Sequence, residues 1–131
     1  RAAALVAELE GLDRRLRKRL APFEGRAFFI NHASLGHFAG RYGLEQRSIE
    51  AVGGSPSSRR MGGLLEEARD AGVRAVLAQV QFSRSGADVL ARALDVPVLE
   101  VDPLRRDYAA NIEAVTRSLL RAFGNGGGAQ P

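Results

Sequence analysis

The chain predicts an α/β fold, a doubly wound four-stranded parallel sheet flanked by helices and preceded by a further amphipathic helix. Three observations predict it. Short, nearly continuous apolar runs recur at Arg26–Asn31, Arg74–Val80 and Pro97–Val101, as expected of strands buried on both faces. Segments of helical periodicity separate those runs. The connections between them are short throughout, which favours right-handed crossovers and parallel pairing.

The elements follow in order. Leu5, Leu9, Leu12, Leu16 and Leu20 recur at three-to-four spacing and predict an amphipathic helix over Ala2–Leu20, ended by Ala21-Pro22. Arg26–Asn31 is the first strand. Ser34–Tyr42 reads as a short helix stopped by Gly43. Glu45–Val52 alternates weakly and predicts the second strand. Gly53–Ser58 is a loop in which Ser55 or Ser57 is placed to cap a helix over Ser58–Ala71, stopped by Gly72. Arg74–Val80 is the third strand, Ser83–Leu94 a helix, Pro97–Val101 the fourth strand and Asp107–Phe123 the last helix. The tail Gly124–Pro131 has almost no apolar content and is expected to be disordered.

Composition narrows the function classes. With 131 residues, 45% of them hydrophobic and 26% charged, the chain fits one ordinary domain. It has no cysteine, which excludes disulfides and thiolate metal sites. No apolar run approaches the length that spans a bilayer, so no insertion into a membrane is expected. The first residues, RAAALVAELE, carry no apolar stretch followed by a cleavage site, and they read as a helix already under way. The net charge of +4 rests on arginine, densest at Arg14-Arg15-Leu16-Arg17-Lys18-Arg19. On a helix such a cluster is read as a solvated face, against the alternative of a nucleic-acid patch.

The candidate chemistry lies at strand ends, where open α/β sheets bind ligands. One of the two histidines, His32, follows Asn31 where the first strand emerges. Gln79 closes the third strand and Asp102 follows the fourth. With the first and third strands as neighbours at the switch point, His32, Gln79 and Asp102 converge on one edge. An imidazole and a carboxylate together suit a borderline divalent ion such as Zn²⁺, although two protein ligands leave the site incomplete. The bland readings are a surface histidine, an Asp102 that starts a turn before Pro103, and a Gln79 that satisfies backbone groups. His37 follows His32 by five residues across a break, a spacing that is not diagnostic. No nucleophile elbow, GxGxxG, Walker loop or HExxH is present. Gly53-Gly54-Ser55 lacks the lysine and spacing of a phosphate loop.

Several segments, in this order and spacing across Arg26–Phe123, resemble one family. They are FFINHASLGHFAGRYGL, the Pro56-Ser57 turn before a helix, AVLAQVQFS, and VLEVDPL followed by Tyr108 and Asn111. The chain resembles the C-terminal lobe of the TroA-like (cluster A-I) zinc- and manganese-binding solute-binding proteins of metal ABC importers. The resemblance implies two α/β lobes joined by a rigid helix, with the metal held between them. It assigns residues 1–22 to the end of that helix, 23–123 to the C-terminal metal-binding lobe and 124–131 to a tail. It implies His32 and Asp102 as metal ligands, with Gln79, Asn31 and His37 as neighbouring cleft residues. Two further histidine ligands would lie in an N-terminal lobe that this chain lacks. His32 stands where manganese-selective members tend to carry a glutamate, which favours Zn²⁺ over Mn²⁺. Gln79 stands where the family usually has glutamate, His37 where it has an aromatic, and Ala33 where an acidic residue commonly follows the ligand.

The implied function is extracytoplasmic or periplasmic capture of zinc for an ABC permease, by a monomer without catalysis or a nucleic-acid partner. The alternatives are a manganese-binding member of the same family and an α/β interaction module that binds no metal.

Overall fold

The computed structural model describes residues 2–50 and 56–124. Helix α1 (Ala2–Leu20) runs into a 3-10 turn at Ala21–Phe23, started by Pro22. Then come β1 (Ala27–Ile30), α2 (Gly36–Tyr42), β2 (Glu45–Ser48), α3 (Ser58–Ala71), β3 (Val76–Gln79), α4 (Ser85–Leu94), β4 (Val98–Val101) and α5 (Tyr108–Ala122). The four strands form one parallel sheet in the order β2-β1-β3-β4. Strand order reverses between β1 and β3, so the switch point falls where the apolar runs predicted it.

Alternation along the central strands divides the core. Phe28 and Ile30 of β1 and Leu77 of β3 join Leu12, Leu16 and Leu20 of α1 and Val115 and Leu119 of α5 on one face. Phe29, Val76 and Ala78 meet Leu64 and Ala68 of α3 and Ala87 and Leu90 of α4 on the other. Phe28, Phe29 and Ile30 are all fully buried, and each such side chain contributes about 1.5–3 kcal/mol. Three consecutive apolar residues are therefore needed at the centre of a sheet covered on both sides.

The ends of the elements differ from expectation in ways that local hydrogen bonds explain. α2 begins at Gly36 rather than Ser34, because the Ser34 hydroxyl makes no cap and the Gln46 side chain accepts the Leu35 N–H at 2.7 Å. α4 begins at Ser85 rather than Ser83, whose hydroxyl instead accepts the Ser85 N–H at 3.3 Å. α3 is capped by Ser57, which accepts the Arg60 N–H at 3.1 Å, and α5 by Asp107, which accepts that of Ala110 at 3.1 Å. As a strand β2 stops at Ser48, although backbone bonds to β1 continue as far as Glu50. Val52, Ser55 and the tail beyond Gly124 lie outside the described residues.

The basic cluster of α1 is largely engaged within the chain. Arg15 and Arg19 pair with Glu113 of α5, and Arg17 pairs with Asp13. Asp13 also accepts from Arg41 at 2.9 Å and from the Tyr42 hydroxyl at 2.7 Å, tying α1 to α2.

Candidate metal centre

Asn31 builds the frame of the site. It is 4% exposed at the end of β1, and both halves of its amide are used. The side-chain oxygen accepts the backbone N–H of Gln79 at 2.7 Å and of His32 at 2.9 Å. The nitrogen donates to the carbonyls of Gln79, Phe82 and Ser83 at 3.2, 3.4 and 3.0 Å. One buried amide thus joins the end of β1 to the loop that follows β3.

His32 is half-buried and is held on two sides. Its ring lies flat on Phe82, with centroids 3.7 Å apart and planes 12° apart. Its Nδ1 lies 2.7 Å from Glu50 Oε1. Because a carboxylate accepts, the neutral ring paired with it carries its proton on Nδ1 and its lone pair on Nε2. Nε2 makes no hydrogen bond among the described residues.

Asp102 follows β4 and forms the turn that its position before Pro103 predicts. Its Oδ1 accepts the Leu104 N–H at 3.1 Å and the Gln81 side-chain amide at 2.8 Å. Gln81 in turn accepts from Gln79 Nε2 at 2.9 Å, so two amides link the end of β3 to Asp102. Both bonds to the carboxylate fall on Oδ1, and Oδ2 has none among the described residues. Gln79 Oε1 is buried without a partner.

The sequence-derived residues therefore divide. Asn31, His32, Gln79 and Asp102 all sit at the carboxyl end of the sheet. Gln79, however, reaches toward Asp102 and makes no bond to the His32 ring. His37 lines a groove of about 490 Å³ with Leu9, Leu12, Phe38, Pro103 and Tyr108, between α1, α2 and the start of α5, and among the described residues it makes no hydrogen bond to His32 or Asp102. Glu50, Gln81 and Phe82 were missed. The only sequence signals for them were a polar residue ending a weak strand and the Gln-Phe pair after β3. Among the described residues no three His, Cys, Asp or Glu side chains form a group able to hold a metal ion. The edge carries an oriented imidazole at His32 and a hydrogen-bonded carboxylate at Asp102.

The clearly shifted titrations among the described residues, those of Asp13, Arg41 and Tyr42, lie at the α1–α2 junction. Hydrogen bonds from Arg41 and Tyr42, aided by Arg17, hold the Asp13 carboxyl well below the usual range. Burial, with the Asp13 bond, pushes the Tyr42 hydroxyl up to about 12.

A parallel sheet covered by helices on both faces, with polar groups gathered at its carboxyl edge, defines an α/β fold of the class that binds ligands at that edge. The family model described as ZnuA, zinc-uptake complex component A, periplasmic, matches residues 1–122, and the chain belongs to that family. It is a family of solute-binding transport proteins rather than of enzymes. Zinc-binding protein AdcA of Streptococcus pyogenes is 29% identical over 105 residues, 79% of this chain and 20% of that protein. High-affinity zinc uptake system protein ZnuA of Paracoccus denitrificans is 32% identical over 73 residues, 54% of this chain and 22% of that protein. A crystal structure of ZnuA superposes with a TM-score of 0.86 at 33% identity, covering 92% of this chain and 46% of that one. The chain thus spans about a fifth of those curated relatives and about half of that solved structure. No described helix is long and apolar enough to cross a membrane.

Proposed function

We propose that this chain is the C-terminal lobe of an extracytoplasmic protein that captures zinc and passes it to an ABC importer. His32 Nε2 and the Asp102 carboxylate supply two ligands, and an N-terminal lobe supplies the remainder. Residues 1–22 end the helix that joins the lobes, and residues 23–123 form the lobe itself. The observation that carries this reading is the state of the two candidate ligands. Each is fixed through one atom, Nδ1 or Oδ1, while the other, Nε2 or Oδ2, has no partner among the described residues.

The chemistry is capture. A neutral imidazole and an ionised carboxylate suit Zn²⁺, which takes four ligands or three and a water. A site divided between lobes forms when they close and loses half its ligands when they part, which releases the ion without a covalent step. An imidazole rather than a carboxylate at position 32 favours zinc over manganese. The protein works as a monomer and transfers its cargo to the permease.

Zinc titration of the full-length gene product, with a competing chelator, tests the reading. His32→Ala and Asp102→Ala should each weaken binding by about 100-fold, roughly 2.7 kcal/mol. Unchanged affinity in His32→Ala would overturn it.

A further inference from the structure

The contact between Glu50 and His32 joins two strands, and backbone pairing brings it about. Beyond Ser48 the bonds between β1 and β2 continue: Ile49 N–H donates to Ile30 O at 2.8 Å and Glu50 N–H to Asn31 O at 3.1 Å. That register sets Glu50 beside the Asn31–His32 step, and its Oε1 reaches Nδ1 at 2.7 Å. Phe82 covers one face of the ring, and the Asn31 amide holds both the His32 N–H and the Phe82 carbonyl. The ring therefore has a fixed plane and a carboxylate acceptor at Nδ1, with Nε2 left unpaired among the described residues.

We propose that Glu50 is the positioning residue of the zinc site: its carboxylate holds the proton on His32 Nδ1 and so presents Nε2 to the ion. This rests on the reading of His32 as a zinc ligand. Histidines that ligate metals nearly always donate their other N–H to a carboxylate, carbonyl or water, which fixes the tautomer and raises ligand basicity. Here the acceptor comes from the segment just beyond β2. The residue after the histidine is Ala33, whose side chain has no acceptor, and Gln79 Oε1 accepts from nothing among the described residues, so neither supplies it.

The test uses the full-length protein, zinc alone as the probe, and three variants. Glu50→Ala should weaken zinc binding about 10–100-fold. Glu50→Gln keeps a neutral acceptor, and its loss should be smaller. His32→Ala should weaken binding more than either. Ring ¹⁵N shifts of the zinc-free protein, recorded where the imidazole is neutral, add a readout that a purely structural role would not move. Wild type should show the proton on Nδ1, and Glu50→Ala should show a mixture of tautomers. Glu50 is exposed at the sheet edge, so the thermal melts of its variants should match wild type. If His32→Ala loses zinc while Glu50→Ala binds within twofold of wild type and keeps its tautomer, the role of Glu50 is overturned and that of His32 stands. If His32→Ala binds zinc as wild type does, the ligand reading fails and the role of Glu50 falls with it.

Discussion

The Asn31 side-chain oxygen accepts the Gln79 backbone N–H at 2.7 Å, and the Asn31 amide nitrogen donates to the Gln79 carbonyl at 3.2 Å. A side chain thus does the work of a ladder residue where β1 and β3 part, and the same side chain fixes His32 and the loop carrying Phe82. Structure and site share one joint.

Asn31→Ala should therefore cost both stability and affinity. Leaving these buried backbone groups unpaired should cost about 2–3 kcal/mol, read as a lower urea midpoint. Zinc binding should weaken as well, because the ring loses its backbone anchor. Asn31→Asp should be at least as destabilising, since a carboxylate cannot donate to the three carbonyls that the amide nitrogen serves. A midpoint equal to wild type in either variant would contradict this account.

Gln81 separates orientation from stability. Gln81→Met removes the donor to Asp102 Oδ1 and should weaken zinc binding about 10-fold. It also strands the Gln79 amide, whose Oε1 already lacks a partner, at a cost of about 1–2 kcal/mol. Adding Gln79→Met to Gln81→Met should restore most of the stability and none of the affinity. The double-mutant cycle checks this by pairing denaturation curves with zinc titrations.

The α1–α2 junction should set how stability varies with pH. Asp13 binds its proton less readily when folded than when unfolded. Its contribution is therefore present above the unfolded value of about 3.9 and lost as pH falls through the lower folded value. Tyr42 binds its proton more readily when folded. Its contribution is present below about 10, its unfolded value, and lost as pH rises toward about 12. Thermal melts should show the advantage of wild type over Asp13→Asn shrinking between pH 4 and 2. The advantage over Tyr42→Phe should shrink between pH 10 and 12. A gap that stays constant across either window would remove the assignment to that residue.

Much of the candidate site was legible in the sequence. Asn31, His32, Gln79 and Asp102 end or follow strands, and a parallel sheet collects such positions along one edge wherever the strands pair. The sequence could not show which side chains meet there. His37 is five residues from His32 yet makes no hydrogen bond to its ring among the described residues, because the chain turns into α2 between them. Glu50 is 18 residues away and touches the ring.

Periodicity and apolar runs are properties of the chain read along its length. By themselves they determined the parallel α/β class, the two buried faces of β1 and the carboxyl edge that carries the histidine and the aspartate. Which groups orient those residues depends on strand register and on loops packed from separate parts of the chain. Only the tertiary structure decided that Glu50 meets His32 and that Gln81 meets Asp102, because each contact is made by backbone pairing and packing between segments that share no local pattern.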